Sequence, residues 1–139
     1  MIIADTNVVS EFMKDTPDPV VVEWAESIDA SELTICVVTV EEIERGLGRL
    51  PDGRRRRDLE QRWSRLLEEY AESVVVYDVL AARKTAAILV AAEGDGRPIA
   101  LADAQIAGIC LADGYELATR NVRDFSATAG LPVIDPFAG

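Results

Sequence analysis

The sequence contains no histidine among its 139 residues. Without imidazole, the chain lacks the commonest general base and the Ser-His and Cys-His nucleophile systems, and it cannot form zinc sites that depend on histidine. Any catalysis must therefore use carboxylates or a metal ion. Hard divalent cations such as Mg²⁺ prefer oxygen ligands, and the 25 aspartates and glutamates of the chain can supply them.

Cysteines and long apolar runs are also scarce. Cys36 and Cys110 stand alone in apolar surroundings without CxxC spacing, so we expect two free, buried thiols. Charged residues such as Arg83 and Lys84 interrupt the apolar stretches, none of which approaches the roughly 20 residues of a membrane span. No basic leader precedes the first apolar residues. These features predict a cytoplasmic protein, and the length and 49% apolar content predict a single domain over residues 1–139.

Basic residues are concentrated in one part of the chain. The net charge of −11 disfavours contact with a polyanion. Residues 45–65 nevertheless hold eight of the 14 basic residues against three acids, which makes this segment locally +5. A solvated helical face is the commoner explanation for such a charge run. The arginine-rich segment, residues 45–65, is otherwise a candidate contact surface for nucleic acid.

Segments typical of strands and helices alternate along the chain. Short apolar or β-branched runs predict strands at residues 2–4, 33–38, 74–77, 116–119 and 132–134. Between them, apolar spacing predicts helices; Asp18 and Pro19 mark one start, and Thr39 with Glu42 fits a capping box at another. Gly114 is a predicted helix end. This alternation predicts a three-layer α/β/α sandwich around a mainly parallel central sheet.

Acidic or amide side chains follow several of the predicted strands. They are Asp5 after the first strand, Glu42 after the second, and Asn121 and Asp124 after the strand ending near Thr119. Asp103 lies in the first turn of a helix that begins near residue 100. Singly, each could be a helix cap or a favourable charge at a helix start. Ligands gather at the carboxyl ends of parallel strands, where clustered carboxylates repel one another unless a cation holds them, so the pattern indicates a divalent metal site.

Four segments resemble the sequence blocks of PIN-domain ribonucleases and, more narrowly, of the toxins of VapBC-type toxin–antitoxin modules. They are DTNVVSE at 5–11, TVEEIERG at 39–46, ALADAQIA at 100–107 and ATRNVRDF at 118–125. A family-like VIDPF follows at 133–137. The resemblance covers essentially the whole chain in order and spacing, and it implies a PIN-like fold.

The resemblance also implies the ligands of the metal. In this family the positions of Asp5 and Asp103 hold Mg²⁺ or Mn²⁺, and that of Glu42 completes the acidic pocket directly or through water. Many relatives carry an aspartate where this chain has Asn121, and Asp124 lies three residues further on. An asparagine carbonyl ligates weakly and adds no charge, so either the site has three carboxylates or Asp124 supplies the fourth.

The implied activity is Mg²⁺-dependent endoribonuclease cleavage, in which a metal-activated water attacks an RNA phosphodiester. Thr119 and Arg120 belong to the last block, and Asn7 is expected to order the pocket by hydrogen bonds. The implied partners are the RNA substrate, a cognate VapB-type antitoxin and a second copy of the chain, with residues 21–28 and 79–92 as candidate dimer surfaces. The toxin and antitoxin are expected to form a hetero-oligomer.

Two other enzyme classes place an aspartate after a first parallel strand, and both fit poorly. A haloacid-dehalogenase-type phosphatase needs a second aspartate where this chain has Asn7, and a receiver domain needs a lysine after a late strand, whereas the only lysines are Lys14 and Lys84. A noncatalytic PIN-fold module that binds a basic partner peptide through its acidic cleft stays open as an alternative.

Overall fold

The computed structural model describes residues 1–138, and its centre is a four-stranded parallel sheet. The strands are β1 (Ile2–Ala4), β2 (Leu33–Thr34), β3 (Glu116–Ala118) and β4 (Val133–Ile134), in the order β2-β1-β3-β4. In this register Ile3 lies opposite Thr34 on one side and Leu117 on the other. Because all strands run the same way, their carboxyl ends meet at one edge of the sheet.

Seven α-helices flank the sheet, with a 3₁₀ turn at Ala30–Glu32. They are α1 (Thr6–Phe12), α2 (Pro19–Glu26), α3 (Val37–Gly48), α4 (Arg54–Tyr70), α5 (Val79–Gly94), α6 (Leu101–Asp113) and α7 (Val122–Phe125). Asp18 caps α2 by accepting a hydrogen bond from the Val20 backbone N–H, and Gly114 ends α6 at a φ of 72°, both as predicted. Within residues 1–138, no helix is long and apolar enough to cross a membrane.

The core is divided between the two faces of the sheet. Successive residues of a strand point to opposite faces, and in β1 the fully buried Ile3 packs with α5 and α6 whereas Ala4 packs with α1, α3 and α4. The predicted three-layer α/β/α sandwich is therefore confirmed. Cys36 and Cys110 are free and buried, as expected, and burial raises the pKa of both thiols.

The prediction was wrong at the second strand and at the helix after it. β2 ends at Thr34, and α3 begins at Val37. Cys36 and Val75 form a single parallel bridge, which is all that remains of the strand predicted at 74–77. Thr39 lies inside α3 and caps nothing, so the predicted capping box is absent; Cys36 is the N-cap residue and makes no side-chain cap bond. Cys36, paired with Val75, is the last extended residue before α3, so the β-propensity of Val37 and Val38 does not set their conformation in the fold.

Candidate active site

Asp5 lies at the carboxyl end of β1 and has two roles. The residue as a whole is 3% exposed. Oδ1 caps α1 by accepting a hydrogen bond from the Thr6 backbone N–H at 2.8 Å, while Oδ2 accepts one from Thr119 Oγ1 at 2.7 Å. The residue is thus both the helix cap and a carboxylate at the edge of the sheet, two interpretations that the sequence alone could not separate.

Glu42 reaches the same edge from the second turn of α3. Its Oε1 accepts a hydrogen bond from Thr6 Oγ1 at 2.6 Å. Thr6 Oγ1 also lies 3.4 Å from Thr39 Oγ1, but a hydroxyl has one proton to donate and the carboxylate contact is the shorter. Thr6 was not among the predicted site residues, although its place directly after Asp5 in the first block was an available signal. Thr6 orients Glu42 toward Asp5.

Asp103 lies in the first turn of α6 and is half-buried. Burial, followed by the negative charges of Asp5, Glu42 and Asp124, raises the pKa of Asp103 to about 6. Burial also raises the pKa of Asp5, against the opposing hydrogen bonds from Thr119 and Thr6, and the charges of Glu42 and Asp124 add to the rise. The fold therefore brings Glu42 and Asp124 within electrostatic reach of both Asp5 and Asp103.

The two candidates for the fourth position differ in what they contribute. Asp124, exposed in the short helix α7, acts through its charge on both Asp5 and Asp103. Asn121 precedes α7 and joins the site through its backbone N–H, which donates to Thr119 Oγ1 at 3.1 Å. Asp124 thus contributes a negative charge to the site, whereas Asn121 contributes a backbone hydrogen bond.

Asn7 and Thr119 connect the ends of β1 and β3. Asn7 Nδ2 donates to the buried Thr119 Oγ1 at 3.2 Å and lies 3.4 Å from Asp5 Oδ2, and Asn7 Oδ1 accepts from the Arg120 backbone N–H at 3.1 Å. The Arg120 guanidinium lies over the Phe137 ring, 4.6 Å from its centroid. These hydrogen bonds hold the Asp5 carboxylate in one orientation.

The donor set matches a hard divalent cation. It consists of oxygen atoms alone, and the raised pKa of Asp103 reflects a repulsion between carboxylates that a cation would relieve. Across residues 1–138, however, no three acidic or cysteine side chains are close enough to form a ready-made metal-binding group. Glu42 is turned toward Thr6, and Asp5 toward Thr119. Ion binding is therefore expected to draw the carboxylates together from these hydrogen-bonded positions.

The melting temperature of the metal-free protein is expected to rise by about 2–4 °C between pH 7.5 and pH 5.5. The pKa of Asp103 in the folded state, about 6, exceeds its ordinary value, so the folded state binds the proton more tightly than the unfolded state and protonation stabilises it. Below about pH 4 the trend reverses, because hydrogen bonds from Lys14 and the Asp18 backbone N–H lower the pKa of Glu11. Thermal melts in EDTA measure this profile.

Two variants test whether this rise comes from the cleft. Asp103→Asn removes the titrating group and should flatten the profile between pH 7.5 and pH 5.5, with a higher melting temperature at the upper pH. Asp58→Asn, at an exposed position of α4, changes the net charge equally and should keep the rise. A wild-type melting temperature that is flat or falls over this range would contradict the prediction.

Similarity to known proteins extends over the whole chain. A family model described as the PIN domain matches residues 2–131. The VapC ribonuclease Y4jK of Sinorhizobium fredii is 36% identical over 138 residues, which are 99% of this chain and 98% of that protein. The toxin FitB of Neisseria gonorrhoeae is 31% identical over 99% of each chain. The crystal structure of FitAcB from Neisseria gonorrhoeae aligns with a TM-score of 0.91 and 31% identity over 100% of both chains.

Proposed function

The chain belongs to the PIN domain family, in agreement with its four sequence blocks, and from this premise we propose that it is the toxin of a VapBC-type toxin–antitoxin module. Its proposed activity is Mg²⁺-dependent cleavage of RNA phosphodiester bonds in the cytoplasm, by one PIN domain that spans residues 1–139. The observation that carries the proposal is that Glu42 and Asp124 act electrostatically on both Asp5, which follows β1 at the carboxyl edge of the sheet, and Asp103.

In this proposal Asp5 and Asp103 hold Mg²⁺, or Mn²⁺ in its place, and Glu42 completes the pocket directly or through water. When bound, the ion lowers the pKa of a water molecule and neutralises charge on the phosphate oxygens. The protein's own contribution is to keep the acids at one edge of the sheet: Thr6 holds Glu42 and Thr119 holds Asp5, and both carboxylates would turn from these positions to hold the ion. Asp124 adds the fourth negative charge.

The arginine-rich segment is a proposed second contact for the RNA backbone. Two of its arginines make contacts within the protein. Arg56 pairs with Asp52 and Glu60, and Arg62 binds Asp15 and the Met13 carbonyl. Other arginines of the segment are exposed on α4, among them Arg54, Arg55 and Arg57. These side chains can displace counterions from RNA and offset the net negative charge of the chain.

The proposed protein partners are a VapB-type antitoxin and a second copy of the chain. The relatives named VapC ribonuclease and toxin FitB support a toxin role, and a toxin requires an antitoxin that neutralises it. For the homodimer, α5 is the better of the two predicted surfaces: Val79 is 77% exposed and Val90 69%, whereas Val21 of α2 is fully buried. The toxin and antitoxin together form the proposed hetero-oligomer.

Substitutions at the two candidate fourth positions test the proposed site. Asp124→Asn should lower the rate of Mg²⁺-dependent RNA cleavage by about 10- to 100-fold, because it removes a negative charge that acts on both Asp5 and Asp103. Asn121→Ala keeps its backbone hydrogen bond to Thr119 and should stay within about threefold of wild type. The measurement is the initial rate of cleavage of labelled RNA.

The opposite order of effects would assign the fourth position to Asn121. Wild-type protein that cuts no RNA with either Mg²⁺ or Mn²⁺ would contradict the proposed function itself. A circular-dichroism melt of each variant shows whether a lost rate reflects unfolding.

A further inference from the structure

A groove of about 760 Å³ runs between α5, the loop that follows it and the segment after α7. Its floor is apolar and is formed by Ala87, Ile88 and Ala91 of α5 and by Leu111 of α6. Asp124 lines the groove and also acts electrostatically on Asp5 and Asp103. Asp124 therefore places the groove near the other acids of the candidate site.

Three cationic side chains line this groove: Lys84 on α5, Arg97 in the following loop and Arg123 on α7. All three residues are exposed, and none of them takes part in an ion pair within the described residues. Asp95 and Asp124 are the acids that line it. In a chain with a net charge of −11, this groove carries a local excess of positive charge next to the carboxylate cleft.

We propose that this groove binds a single-stranded stretch of RNA adjoining the phosphate that is cleaved, an inference that rests on the proposed function. Lys84, Arg97 and Arg123 contact successive phosphates, and the bases lie over the apolar floor. A cationic groove with apolar surface beneath is the arrangement that binds single-stranded nucleic acid without dependence on one sequence. The groove thus determines where the strand leaves the cleft.

Charge favours RNA over a peptide as the occupant. A partner peptide that enters the acidic cleft must be basic to complement four carboxylates, and Lys84, Arg97 and Arg123 would repel its continuation along the groove. A phosphate backbone is attracted by the cations of the groove. At the carboxylates it can bind only if a metal ion bridges the phosphate and the acids. RNA therefore matches both parts of this surface.

Charge reversal in the groove tests the proposal by binding alone. Asp103→Asn protein is titrated into fluorescein-labelled, random-sequence 20-nucleotide single-stranded RNA in Mg²⁺, and the anisotropy is followed with and without Lys84→Glu. Lys84→Glu should weaken binding by about tenfold and make the slope of log K against log salt shallower by about 0.7. Arg83→Glu is the matched control, since Arg83 is the adjacent exposed cation of α5 and lies outside the groove; with sedimentation unchanged from the parent, it should change affinity by less than about twofold.

A second pair of variants alters shape without altering charge. Ala91→Trp fills the floor of the groove and should weaken RNA binding while the salt slope stays unchanged. Ala30→Trp, at an exposed position outside both the groove and the proposed dimer surface, should bind as the parent does. Both substituted positions face solvent, so the folded state is expected to survive in each, and this is checked by thermal melting.

The outcomes separate this proposal from the proposed function. Binding that depends on Lys84 but not on Arg83 supports the groove even if the wild-type protein cuts no RNA, a result that would contradict only the nuclease. Equal effects of the two charge reversals would overturn the groove proposal. So would unchanged RNA affinity in Lys84→Glu together with lost homodimer sedimentation or lost binding of the co-expressed antitoxin, since either shows a protein occupant.

Discussion

Asp103→Asn should lower the rate of RNA cleavage by the purified chain by about 10²- to 10³-fold and abolish the growth arrest caused by expressing the chain alone. Asparagine keeps the size of the side chain and one carbonyl oxygen, so the change removes charge and ligand strength with little change in shape. The loss is expected to be large because Asp103 interacts with the charges of Asp5, Glu42 and Asp124 in one cleft. Without it, a divalent ion is held by fewer charged oxygens.

The cleavage measurement is a single-turnover time course on labelled RNA, with EDTA treatment and restoration by Mg²⁺ or Mn²⁺. Asp113→Asn is the matched control, because Asp113 is an exposed aspartate at the opposite end of the same helix, α6. It should cut RNA and arrest growth as wild type does. Cleavage that survives EDTA or Asp103→Asn would contradict a metal-dependent mechanism at this site.

Growth assays also distinguish the toxin from a noncatalytic module of the same fold. If the chain is an active toxin, expression of the wild-type protein arrests growth and expression of the Asp103→Asn variant does not. The variant should still form a complex with the antitoxin. If the chain only binds a basic peptide, neither the wild-type protein nor the Asp103→Asn variant arrests growth.

Gly108→Ala should destabilise the fold by about 3 kcal/mol. A Cβ atom at this position of α6 would lie 2.2 Å from Thr85 Oγ1 and 2.7 Å from the Ala81 carbonyl oxygen. Both neighbours belong to α5 and are buried, and the Thr85 hydroxyl is held by hydrogen bonds to the carbonyls of Ala81 and Ala104. Relief of the overlap therefore requires α5 and α6 to move apart. Urea denaturation at 25 °C measures the free energy of unfolding.

Gly46→Ala is the matched control for the substitution itself. Gly46 lies within α3, and a Cβ there meets nothing within 4 Å. Alanine is the better helix former, so this variant should be more stable by about 0.5–1 kcal/mol. Equal effects of the two substitutions, in either direction, would show that the contact between α5 and α6 is looser than the structure indicates.

Several features could be predicted because they depend on local chemistry. The Asp18 cap, the Gly114 helix end and the alternation of strands with helices each depend on neighbours within a few residues. The strand predicted at 116–119 ends one residue after β3, and the strand predicted at 132–134 begins one residue before β4. The capping box at Thr39 failed because α3 begins two residues earlier, directly after Cys36 pairs with Val75, a residue distant in sequence.

The sequence by itself determined the kind of chemistry open to this protein. With no histidine and with acids after successive strands, its site had to be built from oxygen ligands, and the family resemblance named the acids. Only the tertiary structure decided how these acids are held and which residues contact them. Thr6 bonds a residue 36 positions away, Thr119 one 114 positions away, and Asp124 acts through space on Asp5 and Asp103. Such contacts leave no periodic signal along the chain, because they arise only when parallel strands bring their carboxyl ends to one edge.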